Sequence, residues 1–435
     1  MRAFAAILAL SFAAFGQQPA PPVVLHFTHG SCFDGTQFRP TELWVENGKF
    51  ISTRSNRQNV REIDLHGGFV VPPYGDAHEH NFDALYNTKQ VVQDYLRDGI
   101  FYAQGMTDIT SGAKQVVAAG LVDTPTTVDV TYAHGGITAP NGHPKDVYEA
   151  IANGIYTGLR PDQQPLVIAS TKRLNDAYWQ VASAEDLDRD WPQILAAKPD
   201  LIKIYLTDSE HFMPPTAANP RLGKGLDPKL AALVVAKAHA ARLKVAAHVD
   251  TVTDYQIALD ASVDEMGHLP GYGMRASDSP ALYRLSDAQV AETARRHVKV
   301  QATARQAYYP AIPSADLSAR QTVQKDNLRR LKAAGVTVLI GSDSYGSDSQ
   351  KEADYLHSLG VWTNLELLRM WAITTPEAIL PKRGLGHLAP GYEASFLVLS
   401  GNPLQDWNAT HAIVDRWKRG VHIELPVPPA DQDAK

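Results

Sequence analysis

Residues 23–65 alternate apolar and polar side chains, the period of strands that bury one face, and Glu46-Asn47-Gly48 supplies a hairpin turn. Short antiparallel strands are predicted there. The far end of the chain reads alike: residues 394–400 make an apolar strand, and residues 411–424 make two more that turn at Arg419-Gly420. Both ends are expected to form one small β-sandwich domain, from residues 17–68 and 385–424. Between them the pattern changes to short apolar runs separated by helical segments such as 227–241 and 322–334. The runs are 69–73, 99–102, 126–132, 201–206, 244–248, 263–267, 297–302 and 337–340. Eight such runs match a (β/α)8 TIM-like barrel over residues 69–384, so the expected fold class is α/β with an added β-sandwich domain. No repeat or low-complexity tract interrupts this order.

The N-terminus changes the picture in one respect. Met1 and Arg2 precede an apolar run over residues 3–15, and Ala14-Phe15-Gly16 offers small residues at the positions a signal peptidase requires. Residues 1–16 read as a signal peptide cleaved near Gly16, followed by a short Pro/Gln linker, so a secreted or periplasmic location is expected. The alternative, a membrane anchor, needs roughly 20 apolar residues and the run is shorter. Residues 425–435 read as a C-terminal tail. With 41 Lys+Arg against 47 Asp+Glu and no long run of either sign, neither a nucleic acid nor a membrane is the expected partner of the mature chain. A small-molecule substrate is, and a homo-oligomer stays open. The single cysteine, Cys32, excludes an internal disulfide and a cysteine-based metal site.

In a barrel of this kind reactive groups lie just past the C-terminal ends of the strands, and five of the eight runs offer a metal ligand there. The first leads into Asp76-Ala77-His78-Glu79-His80, where an extended backbone sets His78 and His80 on one side. With 16 histidines in the chain, that spacing alone is weak evidence. The fourth run, Leu201-Ile202-Lys203-Ile204-Tyr205, puts an ammonium group in a strand that should be buried. Desolvation favours the neutral amine, the form that adds CO2 to give a carbamate able to bridge two cations. A stem that snorkels outward or pairs with an acid would also account for Lys203. The fifth, sixth and eighth runs lead to His248, His268 and Asp343. A core histidine or a helix-capping aspartate would explain each alone; five strand ends in agreement are harder to dismiss.

These residues in this order, with the tail Leu388-Ala-Pro-Gly-Tyr-Glu-Ala-Ser-Phe-Leu-Val-Leu-Ser-Gly-Asn-Pro-Leu404, closely resemble the amidohydrolase superfamily over almost the whole mature chain. The resemblance is strongest to the imidazolonepropionase-like branch and to the related metal-dependent dipeptidases of Xaa-Pro and Xaa-Arg type. It implies two divalent ions, usually zinc. His78 and His80 would hold the more buried ion, His248 and His268 the more exposed one, carboxylated Lys203 would bridge both, and Asp343 would touch the buried ion. Manganese, iron or cobalt would suit the same ligand types. One departure is Pro72-Pro73-Tyr74-Gly75-Asp76 where the family has Pro-Gly-Phe-Ile-Asp. Lys203 itself argues against the mononuclear imidazolonepropionase reaction and towards a two-metal hydrolase.

The expected mechanism follows from that resemblance: a hydroxide shared by the ions attacks an amide carbonyl, and Asp343 takes the proton and passes it to the departing nitrogen. His134 and Tyr205 are candidate donors to the developing oxyanion, although a solvated loop histidine and a packed tyrosine explain them equally well. Arg305 is a candidate for binding a substrate carboxylate, with an ordinary surface arginine as the alternative. The expected substrate class is a dipeptide, an N-acyl amino acid or a cyclic amide. A lactonase or phosphotriesterase could use the same centre, and a barrel reduced to binding is disfavoured by the complete ligand set. The loops at 135–165 and 207–226, rich in Gly and Pro, carry no motif that selects among substrates.

Overall fold

A computed structural model describes residues 23–53, 59–156, 158–307 and 312–426. The expected signal peptide, the linker at 17–22 and residues 427–435 of the expected tail lie outside the described residues.

The fold is mixed α/β, with parallel strands at its centre. Two further sheets are present, one built from the N-terminal part of the chain alone and one from both of its ends. One has four strands, in the order Lys49–Ile51, Leu43–Glu46, Val24–Thr28 and Val60–Asp64. The other has six, in the order Val421–His422, Ile413–Lys418, Phe396–Leu399, Phe69–Val71, Ser31–Phe33 and Phe38–Pro40. Phe27, Val45 and Phe50 of the first share one apolar cluster with Phe396, Val398 and Trp417 of the second. The turns fall where the dipeptides stand: Asn47 and Gly48 both have positive φ, as do Arg419 and Gly420, the backbone that a two-residue hairpin with right-handed twist requires.

We number the parallel strands β1 (Tyr74–Glu79), β2 (Ile100–Gly105), β3 (Asp129–Tyr132), β4 (Leu201–Leu206), β5 (Lys244–Val249), β6 (Glu265–Met266), β7 (Lys299–Gln301) and β8 (Val338–Leu339). β1 to β3 pair in one sheet, and β4 to β8 in another that also holds two unanticipated strands, Gly136–Thr138 and Tyr178–Gln180. Backbone hydrogen bonds cross both seams, from Ala77 N–H to the Ile340 carbonyl (2.9 Å) and from Asp200 N–H to the Tyr132 carbonyl (2.8 Å).

The expected first run, 69–73, is corrected. Phe69–Val71 belongs to the six-stranded sheet, where Val71 pairs with Leu397, and the parallel sheet begins only at Tyr74. Pro72 and Pro73 bring no N–H to a ladder, so the chain leaves one sheet and enters the other across them. The unusual Tyr74-Gly75 has a packing reason as well. The Tyr74 ring stacks on Trp371 with centroids 3.8 Å apart, and a Cβ on residue 75 would meet Thr375 Cγ2 at 3.0 Å.

The covering helices follow ordinary rules. Pro228–Ala240 starts with Pro at its first position and with Asp227 accepting from Lys229 N–H, and it buries Ala231, Val234, Val235 and Ala238, a single stripe at helical spacing.

Candidate metal centre

His78 is the penultimate residue of β1, and His80 follows just past the strand's end on the same side. Each ring is oriented by its Nδ1: His78 is hydrogen-bonded to the Gly267 carbonyl (2.9 Å), and His80 to the Thr107 carbonyl (3.0 Å). Backbone carbonyls only accept, so each Nδ1 carries the proton and each Nε2 presents a lone pair. Both Nε2 atoms point at one oxygen, Asp343 Oδ1, at 3.3 and 3.0 Å. Asp343 follows β8 with φ of 47°, and its N–H donates to the His78 carbonyl at 2.6 Å. Asp76, fully buried beneath them, accepts from the N–H groups of Ser342 (2.9 Å) and His78 (3.2 Å) and so ties β1 to β8.

His268 enters from the end of β6, its ring 4.8 Å from that of His78 and 4.3 Å from that of His248. His78, His268 and Asp343 each bring a potential ligand atom within 4.8 Å of the others. The β4–β5 register sets Lys203 beside Ala246 and Tyr205 beside His248. His248 Nε2 is occupied by Asp250 (2.9 Å) and by the Tyr272 hydroxyl (3.0 Å), which leaves its Nδ1 as the available lone-pair site. Lys203 is only 1% exposed, and its Nζ has no hydrogen-bond partner among the described residues.

Burial lowers the Lys203 ammonium pKa to about 7, against the opposing pull of Asp343 and Glu265. Burial, then the Lys203 charge, takes His78 down to about 3, and burial with neighbouring His248 holds His268 well below the usual range. Burial alone would raise Asp343; His78 and His268 outweigh it and keep the carboxyl well below its ordinary value. These shifts favour neutral His78 and His268 beside an ionised Asp343, the protonation states in which such groups bind a metal.

The sequence-predicted residues His78, His80, Lys203, Tyr205, His248, His268 and Asp343 come together here. The Tyr205 hydroxyl is hydrogen-bonded to Thr107 Oγ1, and its ring lies 5.4 Å from that of His248. His134 is not brought to the cluster. With φ of 57° it stacks on Tyr132 at 5.3 Å, and the charges acting on it are Lys114 and Asp176. Arg305 lies on the turn Ala304–Ala307 after β7, where its N–H donates to buried Glu352 (2.6 Å) and its charge acts on Glu352 and Tyr355.

Three neighbours were missed. His143, from the loop after β3, lies 5.0 Å from the rings of both His248 and Tyr205 and pairs with Asp146 at 2.9 Å. Burial would depress its imidazolium, and Asp146, Asp250 and Asp343 outweigh that, so its pKa is raised. Asp250 accepts from the Tyr272 hydroxyl at 2.5 Å. Asp250 was within reach of the period-two argument, being two residues past His248; His143 and Tyr272 sit in loops without a pattern.

No protein-family profile matches the chain. A segment of 108 residues is 32% identical to the ochratoxinase of Aspergillus niger and spans 23% of this chain and 22% of that protein. Among solved structures, one of an amidohydrolase superposes with a TM-score of 0.68 at 19% identity, covering 93% of this chain and all of that one (100%). A prolidase complexed with N-methylphosphonate-L-proline gives 0.67 at 18%, with coverage of 93% and 100%. The ochratoxinase structure gives 0.68 at 16%, with coverage of 93% and 96%. At these identities the structural likeness is one of fold alone: the chain shares the fold of these solved structures over nearly its whole length.

Proposed function

We propose that this protein is a metal-dependent hydrolase of amide bonds in small substrates: dipeptides, N-acyl amino acids or cyclic amides. The observation that carries the reading is Lys203, a buried amine without a hydrogen-bond partner among the described residues, set among four histidines and a carboxylate. An uncompensated buried ammonium costs several kcal/mol, whereas a carbamate formed from the neutral amine would serve as a shared anionic ligand. His78, His80, His248, His268, Asp343 and carboxylated Lys203 would hold two divalent ions, zinc in the first instance. Such ions, when bound, supply a water that ionises near neutral pH and an electrophile for the scissile carbonyl. The reading includes closure of β1 to β8 into one (β/α)8 barrel, supported by the hydrogen bonds at both seams.

The chain's own groups have separable tasks. Asp343, kept ionised by its histidine neighbours, accepts a proton and returns it to the departing nitrogen. His143, held by Asp146 with a raised pKa, takes over from His134 as the imidazolium that donates to the developing oxyanion, and Tyr205 stands beside it. Asp250 and Tyr272 fix the His248 ring. The reading also retains export, on the N-terminal pattern, and a small-molecule partner; among the described residues no helix is long and apolar enough to cross a membrane.

The test is a panel of dipeptides, N-acyl amino acids and lactones offered to the zinc-supplemented protein, with Asp343→Asn as the control. Amide turnover abolished by a chelator and reduced at least about 100-fold in Asp343→Asn supports the reading. Turnover of lactones alone, or amide turnover indifferent to both treatments, contradicts it.

A further inference from the structure

Tyr345 lies two residues past Asp343. Its ring stacks on His80, with centroids 5.2 Å apart and planes at 20°. Its hydroxyl is hydrogen-bonded to Tyr148, whose own hydroxyl donates to the Thr107 carbonyl (2.6 Å), the acceptor that also orients His80. The segment carrying it is pinned by buried Asn81, which donates to the carbonyls of Ser344 (2.9 Å) and Ser347 (3.0 Å) and accepts from Gly346 N–H (2.6 Å). The ring is thus fixed through its hydroxyl and through its backbone.

Despite this anchoring Tyr345 is 51% exposed. Tyr148 engages the hydroxyl and His80 covers one face of the ring, which leaves the opposite flank as the open part of the side chain. Supporting His80 needs only the inner face. A rigid aromatic surface left open beside a metal-ligand candidate has lost its side-chain entropy in advance, which favours a second ring stacking on it.

We propose that the free flank of Tyr345 is a stacking platform for the substrate, and that the preferred amides carry an aromatic ring on one side of the scissile bond. This rests on the hydrolase reading and names its substrate class.

The test compares wild type, Tyr345→Leu and Tyr345→Phe on two matched pairs, N-acetylphenylalanine against N-acetylalanine and benzoylglycine against acetylglycine. The aromatic member of at least one pair is expected to be favoured in kcat/KM, through KM. Stacking is worth about 3- to 10-fold, and that margin is lost in Tyr345→Leu and kept in Tyr345→Phe. The same variants are titrated calorimetrically with phenylalanine, alanine, arginine, benzoate and acetate, a readout that survives if none of the amides is turned over. Absence of turnover with Tyr345-dependent aromatic binding removes the hydrolase reading and leaves the platform. Equal aromatic preference in wild type and Tyr345→Leu, or a preference for arginine, overturns the platform itself.

Discussion

Gly267 lies against Lys203 so closely that a Cβ on residue 267 would stand 2.7 Å from the lysine Nζ and 3.1 Å from the Ala247 carbonyl oxygen. The glycine leaves the space in which the amine stands. Gly267→Ala should therefore displace the Lys203 head group before it disturbs the fold, because the lysine end is flexible and the strand is not. The expected outcome is a loss of metal uptake with a stability cost of about 1–3 kcal/mol, typical of overpacking, read from metal content and urea unfolding of the same preparation. Full metal content in a stably folded Gly267→Ala protein would show that the lysine position is unimportant.

Asp250 and Tyr272 act on His248 from outside the ligand set. Asp250→Asn removes the charge that orients Nε2 while conserving shape, and partners of this kind typically contribute 10- to 100-fold in metal affinity. Competition with a chromogenic chelator should find zinc weakened by about that factor. Unchanged affinity would leave Asp250 a packing residue.

Most of this centre was legible because its residues sit on strands or just past their ends. Alternation places His78 with His80, and the apolar context of Lys203 marks it as anomalous in the sequence itself. The first strand was misread by several residues, since 69–73 is apolar enough for either sheet and only the tertiary arrangement decides which one it joins. His134 and His143 show the other limit. Both lie in loops after β3, and backbone turns, with φ of 57° at His134, determine which imidazole reaches His248. No periodicity encodes that choice, and the same holds for Tyr272 and Tyr345.

Away from the centre, Asp348 gives a pH-dependent stability. It caps the helix Ser349–Ser358 by accepting from Gln350 N–H (2.9 Å), and burial together with the Asp98 carboxyl pushes it up to about 8. Between about pH 4 and 8 the folded state holds a proton that the unfolded chain has released, so this contribution is present at low pH and lost as pH rises through the window. Asp348→Asn keeps the cap and cannot ionise. Its melting temperature should fall less than that of the wild type between pH 5 and pH 8; parallel curves would contradict the assignment.

Lys418 connects the six-stranded sheet to the parallel strands. Fully buried, its Nζ donates to Asp129 (2.7 Å) and to the carbonyls of Thr124 and Thr127. Lys418→Met conserves the stem and leaves those acceptors without it, while Arg383 and Arg419 still face Asp129 at 2.7 Å each. A loss of about 3 kcal/mol in urea unfolding is expected, at the lower end for breaking a buried pair. A change below about 0.5 kcal/mol would mean that the two arginines suffice.

The central claim is a metal centre organised around Lys203, and the most direct measurement is bound metal per chain in protein purified with zinc and bicarbonate, wild type beside Lys203→Ala. The account expects about two ions in the wild type and one or none in the variant, with the fold retained. A wild type that binds no metal, or a Lys203→Ala protein that keeps the full complement, would contradict it.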